Sequence, residues 1–439
     1  MITHIRMKNF KSWKDSDKVE LAPLTGFFGT NSSGKSSLLQ MLLLLKQTVG
    51  SKEVLFFGDE TSLIKLGNFR EVIHEHKEDA LLELEFECKS LKPLTITTLQ
   101  LIDRYRHYYD YAPMDIDSFI FHTAICESDS GMSINYFSYT VGPEAIQKIK
   151  WEGGNLYYGN RQGSHVGVAN CYGPPTSGYT EQLSPLSSAF ENLFADIYYL
   201  GPTRVHPKRL YHWERTHPKE IDLWGNKAVD ALLSARVRQL TTAYNGKSVP
   251  IEERISKWLQ KLELAHSFSL VPKGSLDDNN YEIRIRKTPN SAEVTLADLG
   301  HGVSDLFPLL VHCCYVPEGS TLILEQPGIH LHPKAQADLA DLFLEVIRER
   351  NLQILVESHS EHLLTRLQRR VAEKQIGQDD VALYFCRNID GESTKERLEV
   401  TESGDIKNWP ENFFGDVMGD MFAMTDKQVE RMTDQDPEG

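Results

Sequence analysis

Hydrophobic residues follow a different pattern in each part of this chain. Residues 2–10 alternate apolar and polar positions, which predicts a half-buried strand, and Phe27 with Phe28 marks a brief buried strand. The stretch SLLQMLLLLKQTV, residues 37–49, predicts a strongly apolar helix that ends near Gly50. A short segment rich in glycine and serine separates the buried strand from this helix. The N-terminal order is therefore strand, glycine loop and helix.

Two other patterns follow along the chain. Residues 80–195 contain short β-like runs between Gly, Pro, Asn and Asp clusters, which predicts an antiparallel sheet. Residues 216–266 have a helical texture. From Val294 onward, apolar strands alternate with amphipathic helices, and the predicted strands are TLILE, LQILVES and VALYFC. Because this alternation is typical of parallel strands with crossover helices, the last part predicts an α/β sheet.

These patterns divide the chain into five predicted segments. They are an N-terminal lobe with the glycine loop (1–60), a β-rich region (61–195), a helical lid insertion (196–290), a C-terminal α/β lobe (291–390) and a C-terminal extension (391–439). No segment repeats at a fixed period, and no heptad pattern persists long enough for a coiled coil.

Composition and charge restrict the classes of function. The chain has 47 basic and 62 acidic residues, a net charge of −15, which argues against a protein that coats nucleic acid with its whole surface. A local basic groove at Arg204, Lys208 and Arg209 stays open. No apolar run approaches the ~18 residues of a membrane span and no secretory signal is present, so we expect a cytoplasmic protein without a membrane partner. The six scattered cysteines indicate reduced, structural thiols.

The glycine loop carries the strongest functional signal. Residues 29–36, GTNSSGKS, match the pattern G-x-x-x-x-G-K-[ST] without a departure. Glycines let successive backbone N–H groups face the phosphates of ATP, with a helix N-terminus behind them. We expect Lys35 to reach the β- and γ-phosphates and the Ser36 hydroxyl to hold Mg²⁺. The predicted nucleotide ligands of this loop are Gly29, Asn31, Ser33, Gly34, Lys35, Ser36 and Ser37.

Three weaker motifs follow in the C-terminal half. The strand TLILE ends in Glu325, where P-loop enzymes hold magnesium, and Gln326 then lies next to the γ-phosphate. Gly302 and Ser304 belong to a glycine turn that opens a helix, which is an anion-binding arrangement. His359 follows the strand LQILVES. Each of these motifs, taken alone, is also compatible with an ordinary strand end or turn.

The order of the motifs resembles that of an ABC-type ATPase. More closely, the chain resembles the prokaryotic ATPases of the overcoming-lysogenization-defect group, which are related to structural-maintenance-of-chromosomes (SMC) proteins. The most diagnostic pieces are EQPGIHLHP, VESHSEHLL and NWPENFF. The resemblance implies an α/β fold, an ABC/SMC-type P-loop ATPase head with an antiparallel β region and a helical insertion.

The same resemblance implies a nucleotide site divided between two subunits. Lys35 and Ser36 of one protomer would bind ATP and Mg²⁺, and Gly302 with Ser304 of the other would complete the cage. Glu325 corresponds to the magnesium acid and His359 to the histidine that senses the γ-phosphate. A homodimer or a higher even oligomer is therefore expected.

Two departures from the family pattern bear on catalysis. Gln326 occupies the usual position of the catalytic glutamate and cannot act as a general base, and Gly328 replaces an acid that is frequent there. We therefore expect slow hydrolysis, with Glu357 or a residue of the partner subunit as alternative base. His330 and His332 fall where a loop crosses the dimer seam, and a zinc role for them lacks a third ligand nearby in sequence.

Three biological functions remain compatible with the sequence. Related enzymes carry a Toprim nuclease domain, for which too few residues follow VALYFC, so we predict no nuclease activity in this chain. The resemblance then suggests a separate effector protein, a nuclease or a toxin, as in Septu-type antiphage systems. The alternatives are a DNA repair or recombination ATPase that binds duplex DNA, and a non-catalytic nucleotide-gated scaffold.

Overall fold

The computed structural model describes residues 1–77, 79–103, 108–129, 131–141, 147–158, 161–165, 167–168, 170–173, 184–275, 279–411, 413–414 and 423–428. Within them the helices are α1 (Lys35–Thr48), α2 (Phe69–Val72), α3 (Ser184–Ala195), α4 (Ala228–Val237), α5 (Ile251–Lys261), α6 (His301–Tyr315), α7 (Pro333–Arg350) and α8 (Glu361–Ala372), and residues 423–428 are also helical. No helix of these residues is both long and apolar enough to span a bilayer. Part of NWPENFF and the end of the predicted C-terminal extension lie outside the described residues.

The strands of the described residues belong to two large and two small sheets. They are β1 (Ile2–Phe10), β2 (Trp13–Asp15), β3 (Val19–Glu20), β4 (Leu24–Gly29), β5 (Leu82–Asp103), β6 (Tyr108–Ser128), β7 (Gly131–Val141), β8 (Gln147–Glu152), β9 (Asn155–Tyr158), β10 (Arg161–His165), β11 (Ile197–Leu200), β12 (Tyr211–His212), β13 (Thr241–Tyr244), β14 (Lys247–Pro250), β15 (Ser267–Lys273), β16 (Asn280–Arg286), β17 (Glu293–Thr295), β18 (Thr321–Glu325), β19 (Gln353–Glu357), β20 (Val381–Ile389) and β21 (Glu392–Arg397).

A six-stranded sheet forms the centre of the molecule, in the order β11–β18–β19–β4–β20–β21. All neighbouring strands in it are parallel except β20 and β21. Every residue of β4, β18 and β19 is buried, as both faces of a parallel sheet require. This confirms the predicted α/β sheet, and it shows that the N-terminal strand β4 lies among the C-terminal strands.

Alternate residues of these strands enter two different hydrophobic cores. Leu24, Phe28 and Val356 face a core with residues of α4 to α8, whereas Phe27 and Leu355 face a second core with α1 and α3. Side chains alternate between the faces of a strand, so one strand serves both cores. The sheet is covered by helices on one face, and on the other by helices together with a second sheet.

The second large sheet is antiparallel, in the order β10–β9–β8–β7–β6–β5–β1–β2, with β3 also paired to β1. Its apolar face packs on α1 and α3, where Phe86 and Phe121 contact Phe190 with ring centroids 5.4 and 5.0 Å apart. The predicted antiparallel sheet is confirmed. Strand β1, which begins the chain, also belongs to it.

Residues 196–290 combine helices with short strands. The predicted helical texture holds for α4 and α5, which pack against α6. Between them lies the hairpin β13–β14, whose turn Asn245–Gly246 has φ values of 49° and 69°. Asn-Gly turns with two positive φ values are typical of two-residue hairpins. Strands β12, β15, β16 and β17 form a further small sheet.

Gln353 joins the two large sheets. Its side-chain amide accepts a hydrogen bond from Ile2 N (3.1 Å) and donates one to Ile2 O (2.6 Å), so it pairs with the backbone of β1 as a strand would. It also accepts a hydrogen bond from Thr321 Oγ1 on β18 at 3.0 Å. Gln353 is only 1% exposed, so no water replaces these partners.

We expect Gln353→Ala to lower the free energy of unfolding by about 3 kcal/mol, because it leaves the buried N–H and C=O of Ile2 without partners. The matched control is Gln375→Ala, at an exposed position beyond α8, with an expected effect within about 0.5 kcal/mol. Urea unfolding of both variants measures the difference. Equal stability of the two would contradict the role of Gln353 in joining the sheets.

Candidate nucleotide-binding site

The phosphate-binding loop joins the carboxyl end of β4 to α1. Gly29 has φ 134°, and a Cβ there would stand 2.1 Å from the carbonyl oxygen of Cys386 on the neighbouring strand. Gly34 has φ 86° and precedes α1. Its carbonyl accepts a hydrogen bond from Trp13 Nε1 at 3.0 Å, which attaches the loop to the antiparallel sheet. Only glycine satisfies both positions, because left-handed φ and close backbone approach exclude a side chain.

Lys35 lies inside this loop and is 3% exposed. Its Nζ donates hydrogen bonds to the carbonyl oxygens of Gly29 (3.3 Å) and Thr30 (2.6 Å) and to Ser33 Oγ (3.3 Å). Burial lowers the pKa of Lys35, and the nearby Glu357 carboxylate opposes that shift. The ammonium group is thus held where phosphates would meet it.

A cavity of about 390 Å³ opens above the loop. Predicted residues that line it are Asn31, Ser33, Gly34, Lys35, Ser36, Ser37 and His359. Lys11, Ser12, Ser32 and Gln40 also line it, and none of the four was predicted as a ligand. Lys11 and Ser12 follow β1 and Gln40 lies one turn into α1, and no motif in the sequence marks them.

Two carboxylates lie at the ends of neighbouring strands beside this cavity. Glu325 and Glu357 are register partners, and each is 7% exposed. Ser36 Oγ donates a hydrogen bond of 2.8 Å to Glu357 Oε2, whereas Tyr199 Oη donates one of 3.1 Å to Glu325 Oε1. The structure therefore brings Glu357, and not Glu325, into contact with the loop serine.

Burial dominates the ionisation of both acids. It raises the pKa of Glu325 to about 7, with a further increase from the Glu357 charge, while Tyr199, Arg204 and Lys11 act in the opposite direction. Burial also raises the pKa of Glu357, against the hydrogen bond from Ser36 and the charge of Lys35. A positive charge placed between them would relieve this repulsion.

Gln326 and His359 lie next to these acids. The backbone N–H of Gln326 donates to the carbonyl oxygen of Glu357 at 2.9 Å, and Gln326 has a left-handed φ of 48°. His359 lines the cavity, and its pKa is lowered by burial and by the Lys35 charge. His359 therefore stands at the predicted phosphate position, whereas Gln326 follows the neighbouring strand end and does not line the cavity.

Gly302 and Ser304 lie away from this cavity, Gly302 half-buried and Ser304 buried. Ser304 Oγ donates to the carbonyl oxygen of His301 at 3.0 Å in the first turn of α6. Gly302 approaches the loop after β18, since a Cβ there would stand 3.0 Å from the carbonyl oxygen of His330. Neither residue lines the cavity above the phosphate-binding loop. His330 Nδ1 contacts Asp305 at 2.8 Å, and no cluster of three His, Cys, Asp or Glu residues in the described part of the chain is arranged to hold a metal ion.

The donor set of the cavity fits ATP with Mg²⁺. The loop offers a glycine-rich backbone at a helix N-terminus, an ammonium group, and a hydroxyl beside a carboxylate, and these are the groups that such nucleotides bind. Ser36 and a neighbouring acid would hold the metal, which neutralises phosphate charge when it is bound. Lys35 and the loop N–H groups would orient the phosphates.

Three family models match separate parts of the chain. Residues 1–137 match "AAA ATPase domain", residues 192–365 match "AAA domain, putative AbiEii toxin, Type IV TA system", and residues 376–424 match "Protein of unknown function (DUF3696)". No curated protein matches the chain by sequence. The two ATPase models include the phosphate-binding loop and both strand-end acids, so both parts of the candidate site lie in regions that are similar to AAA-type ATPase domains.

Solved structures that the chain resembles include heads of SMC proteins. One, bound to the C-winged helix domain of ScpA, is 15% identical with a TM-score of 0.48, covering 92% of this chain and 98% of that one. The SMC head from Thermotoga maritima is 13% identical with a TM-score of 0.39, and the match covers 91% of this chain and 99% of that one. The Pyrococcus furiosus head with an extended coiled coil, bound to the C-terminal domain of ScpA, is 12% identical with a TM-score of 0.45. That match covers 91% of this chain and 96% of the other. At these identities the likeness concerns the fold alone.

Glu325 makes the stability of the chain depend on pH. The pKa of this carboxyl is higher in the folded chain, about 7, than in the unfolded chain, near 4.5. Its protonated form therefore stabilises the fold fully below pH 4.5, and this contribution is lost as the pH rises to about 7. We expect Glu325→Gln to gain about 3 kcal/mol over the wild type across this interval. Urea unfolding in EDTA without nucleotide, at a series of pH values, measures the gain. Glu318→Gln, at an exposed position, is the control, and a gain independent of pH would contradict the raised pKa.

Proposed function

We propose that the chain binds ATP with Mg²⁺, hydrolyses it slowly, dimerises on the nucleotide and thereby controls a separate effector protein. The observation that carries the first step is the cavity above the phosphate-binding loop, where Lys35, Ser36 and Glu357 converge. Phosphoryl transfer depends mainly on positioning and electrostatic stabilisation, which a preformed loop of this kind supplies.

Slow turnover follows from the residue after Glu325. Gln326 has no proton-accepting carboxylate, so it can orient an attacking water but cannot deprotonate it. Glu357 lines the cavity and accepts a hydrogen bond from the loop serine, and a partner residue is the other candidate base. An ATPase cycle that is limited by deprotonation of the attacking water would suit a nucleotide-dependent switch better than a motor.

Dimerisation is supported by the position of the α6 N-terminus. Gly300 and His301 are exposed there, and the predicted anion-binding residues Gly302 and Ser304 are outside the cavity of their own chain. A second copy would have to bring its α6 against the bound nucleotide to complete the site. The free N–H groups at a helix N-terminus favour such a contact with phosphate.

Control of an effector is supported by resemblance more than by geometry. The description of the family model that matches residues 192–365 names a toxin of a type IV TA system. The sequence motifs also resemble those of antiphage ATPases. We propose a role in antiphage defence with a separate nuclease or toxin as partner. A DNA repair ATPase is the alternative, and the exposed Lys208 is the residue of the basic cluster that could contact nucleic acid, since Arg209 is paired with Asp298.

We expect purified wild-type protein to hydrolyse ATP at less than about one turnover per second, and Lys35→Ala to abolish turnover, because the ammonium group that meets the phosphates is lost. Lys52→Ala, exposed just beyond α1, should keep the wild-type rate. Phosphate release with and without duplex DNA measures this. Strong stimulation by DNA would favour the repair function, and ATP binding without any turnover would leave a nucleotide-gated scaffold.

We expect ATP to convert monomers into dimers, and His301→Glu to prevent this, because its carboxylate would repel the partner's triphosphate. An acid at a helix N-terminus does not weaken the helix, so the fold should persist. His362→Glu places the same substitution at the exposed N-terminus of α8 and should leave dimerisation intact. Light scattering of both variants, with and without ATP, gives the masses. Dimers of His301→Glu in ATP would count against the proposed seam.

A further inference from the structure

One arginine lies between the central sheet and the N-terminus of α6. Arg204 follows β11, the neighbour of β18 in that sheet, and its Nη2 lies 3.5 Å from the carbonyl oxygen of Glu325 at the end of β18. Two residues further along, the ring of His206 packs on the ring of His301 at the start of α6, with centroids 5.4 Å apart. The segment after β11 therefore places Arg204 beside both the sheet edge and the helix.

The guanidinium group of Arg204 lacks the hydrogen-bond partners that a buried arginine normally has. Its Nε and Nη1 are buried, and neither donates to an acceptor among the described residues. Arg350 shows the usual arrangement, since its Nη1 and Nη2 donate to the carbonyl oxygens of Cys313 (2.6 Å) and Val316 and only its Nε is left over. Arg204 thus keeps two buried donors that no residue of the described chain satisfies.

The surroundings of Arg204 compensate its charge only in part. Burial lowers the pKa of Arg204 to about 10, and the charge of Asp305 is the largest influence in the opposite direction. Asp305 lies in the first turn of α6, but its carboxylate contacts His330 Nδ1 at 2.8 Å. A buried cation with unsatisfied donors lowers the stability of the free chain, so we expect it where an anion binds in another state of the protein.

The position of Arg204 favours a phosphate that comes from outside its own chain. Arg204 does not line the cavity above the phosphate-binding loop, and β11 is three strands away from β4, about 14 Å at the usual strand spacing. It lies instead beside the N-terminus of α6, whose free N–H groups favour phosphate. The planar guanidinium fork binds two phosphate oxygens at once, which an imidazole or an ammonium group does not.

We infer that Arg204 binds the triphosphate of the nucleotide held by a second copy of the chain, with its guanidinium fork beside the N-terminus of α6. The inference rests on the proposed ATP-dependent dimerisation, and it adds to that proposal the cation that the seam offers to phosphate oxygens. In the free chain the two buried donors have no acceptor, so they are available when the partner's nucleotide arrives.

The test separates the free chain from the dimer by means of Arg204→Met, which removes the charge and the donors. We expect its Tm without nucleotide to equal or exceed that of the wild type, since an apolar side chain replaces a buried cation that lacks acceptors. Sedimentation velocity over a concentration series in ATP and Mg²⁺ should show dimerisation weakened at least about tenfold. The affinity of the monomer for a fluorescent ATP analogue (mant-ATP), measured by anisotropy, should stay within about threefold of the wild type.

Arg350→Met is the matched control, because it removes a buried arginine whose hydrogen bonds hold the end of α6. We expect it to lower the Tm by about 3 °C or more and to leave ATP-driven dimerisation within about threefold of the wild type. The inference is overturned if Arg204→Met loses as much Tm as this control, dimerises like the wild type, or binds mant-ATP more weakly as a monomer. A wild type that binds mant-ATP but stays monomeric in ATP would remove the proposed dimerisation itself, and the inference with it.

Discussion

The parallel pairing of β4 with β19 and β20 is the constraint on which the rest of the structure depends. Residues 24–27 are in register with 354–357, and residues 24–29 with 381–386, although hundreds of residues separate them along the chain. Parallel strands end at the same edge of a sheet, and ligands of such sheets bind beyond their carboxyl ends. The pairing therefore sets the phosphate-binding loop, Glu357 and His359 around one cavity. It also explains why the insertion between the lobes can be long, since only the strand ends have to meet.

The features that could be predicted from the sequence are those marked by short, local sequence patterns. The strands TLILE, LQILVES and VALYFC are short buried runs, and the loop GTNSSGKS has a fixed spacing, so each was recognised without knowledge of its neighbours. The predicted helices around them are present as α1, α7 and α8. A hairpin within the predicted helical stretch was missed although its Asn-Gly turn is a local signal, because the surrounding charges resemble those of a helix.

The missing parts of the site depend on contacts distant in sequence. Lys11, Ser12 and Trp13 approach the loop only because β1 and β2 belong to a sheet that packs on α1. Gln353 looks like an ordinary polar residue at the start of a strand, and its importance comes from a partner 351 residues away. The contact of Glu357 with Ser36 spans 321 residues in the same way. Periodicity and motif spacing report on neighbours along the chain, and they contain no information on such pairs.

The geometry also gives a physical reason for glutamine at position 326. Glu325 and Glu357 already place two buried carboxylates at adjacent strand ends, and burial together with their mutual repulsion raises the pKa of Glu325 to about 7. A glutamate at position 326 would add a third carboxylate directly after this pair along the chain, and like charges close to one another disfavour ionisation further. Gln326 keeps the side-chain length and a hydrogen-bonding end without that charge.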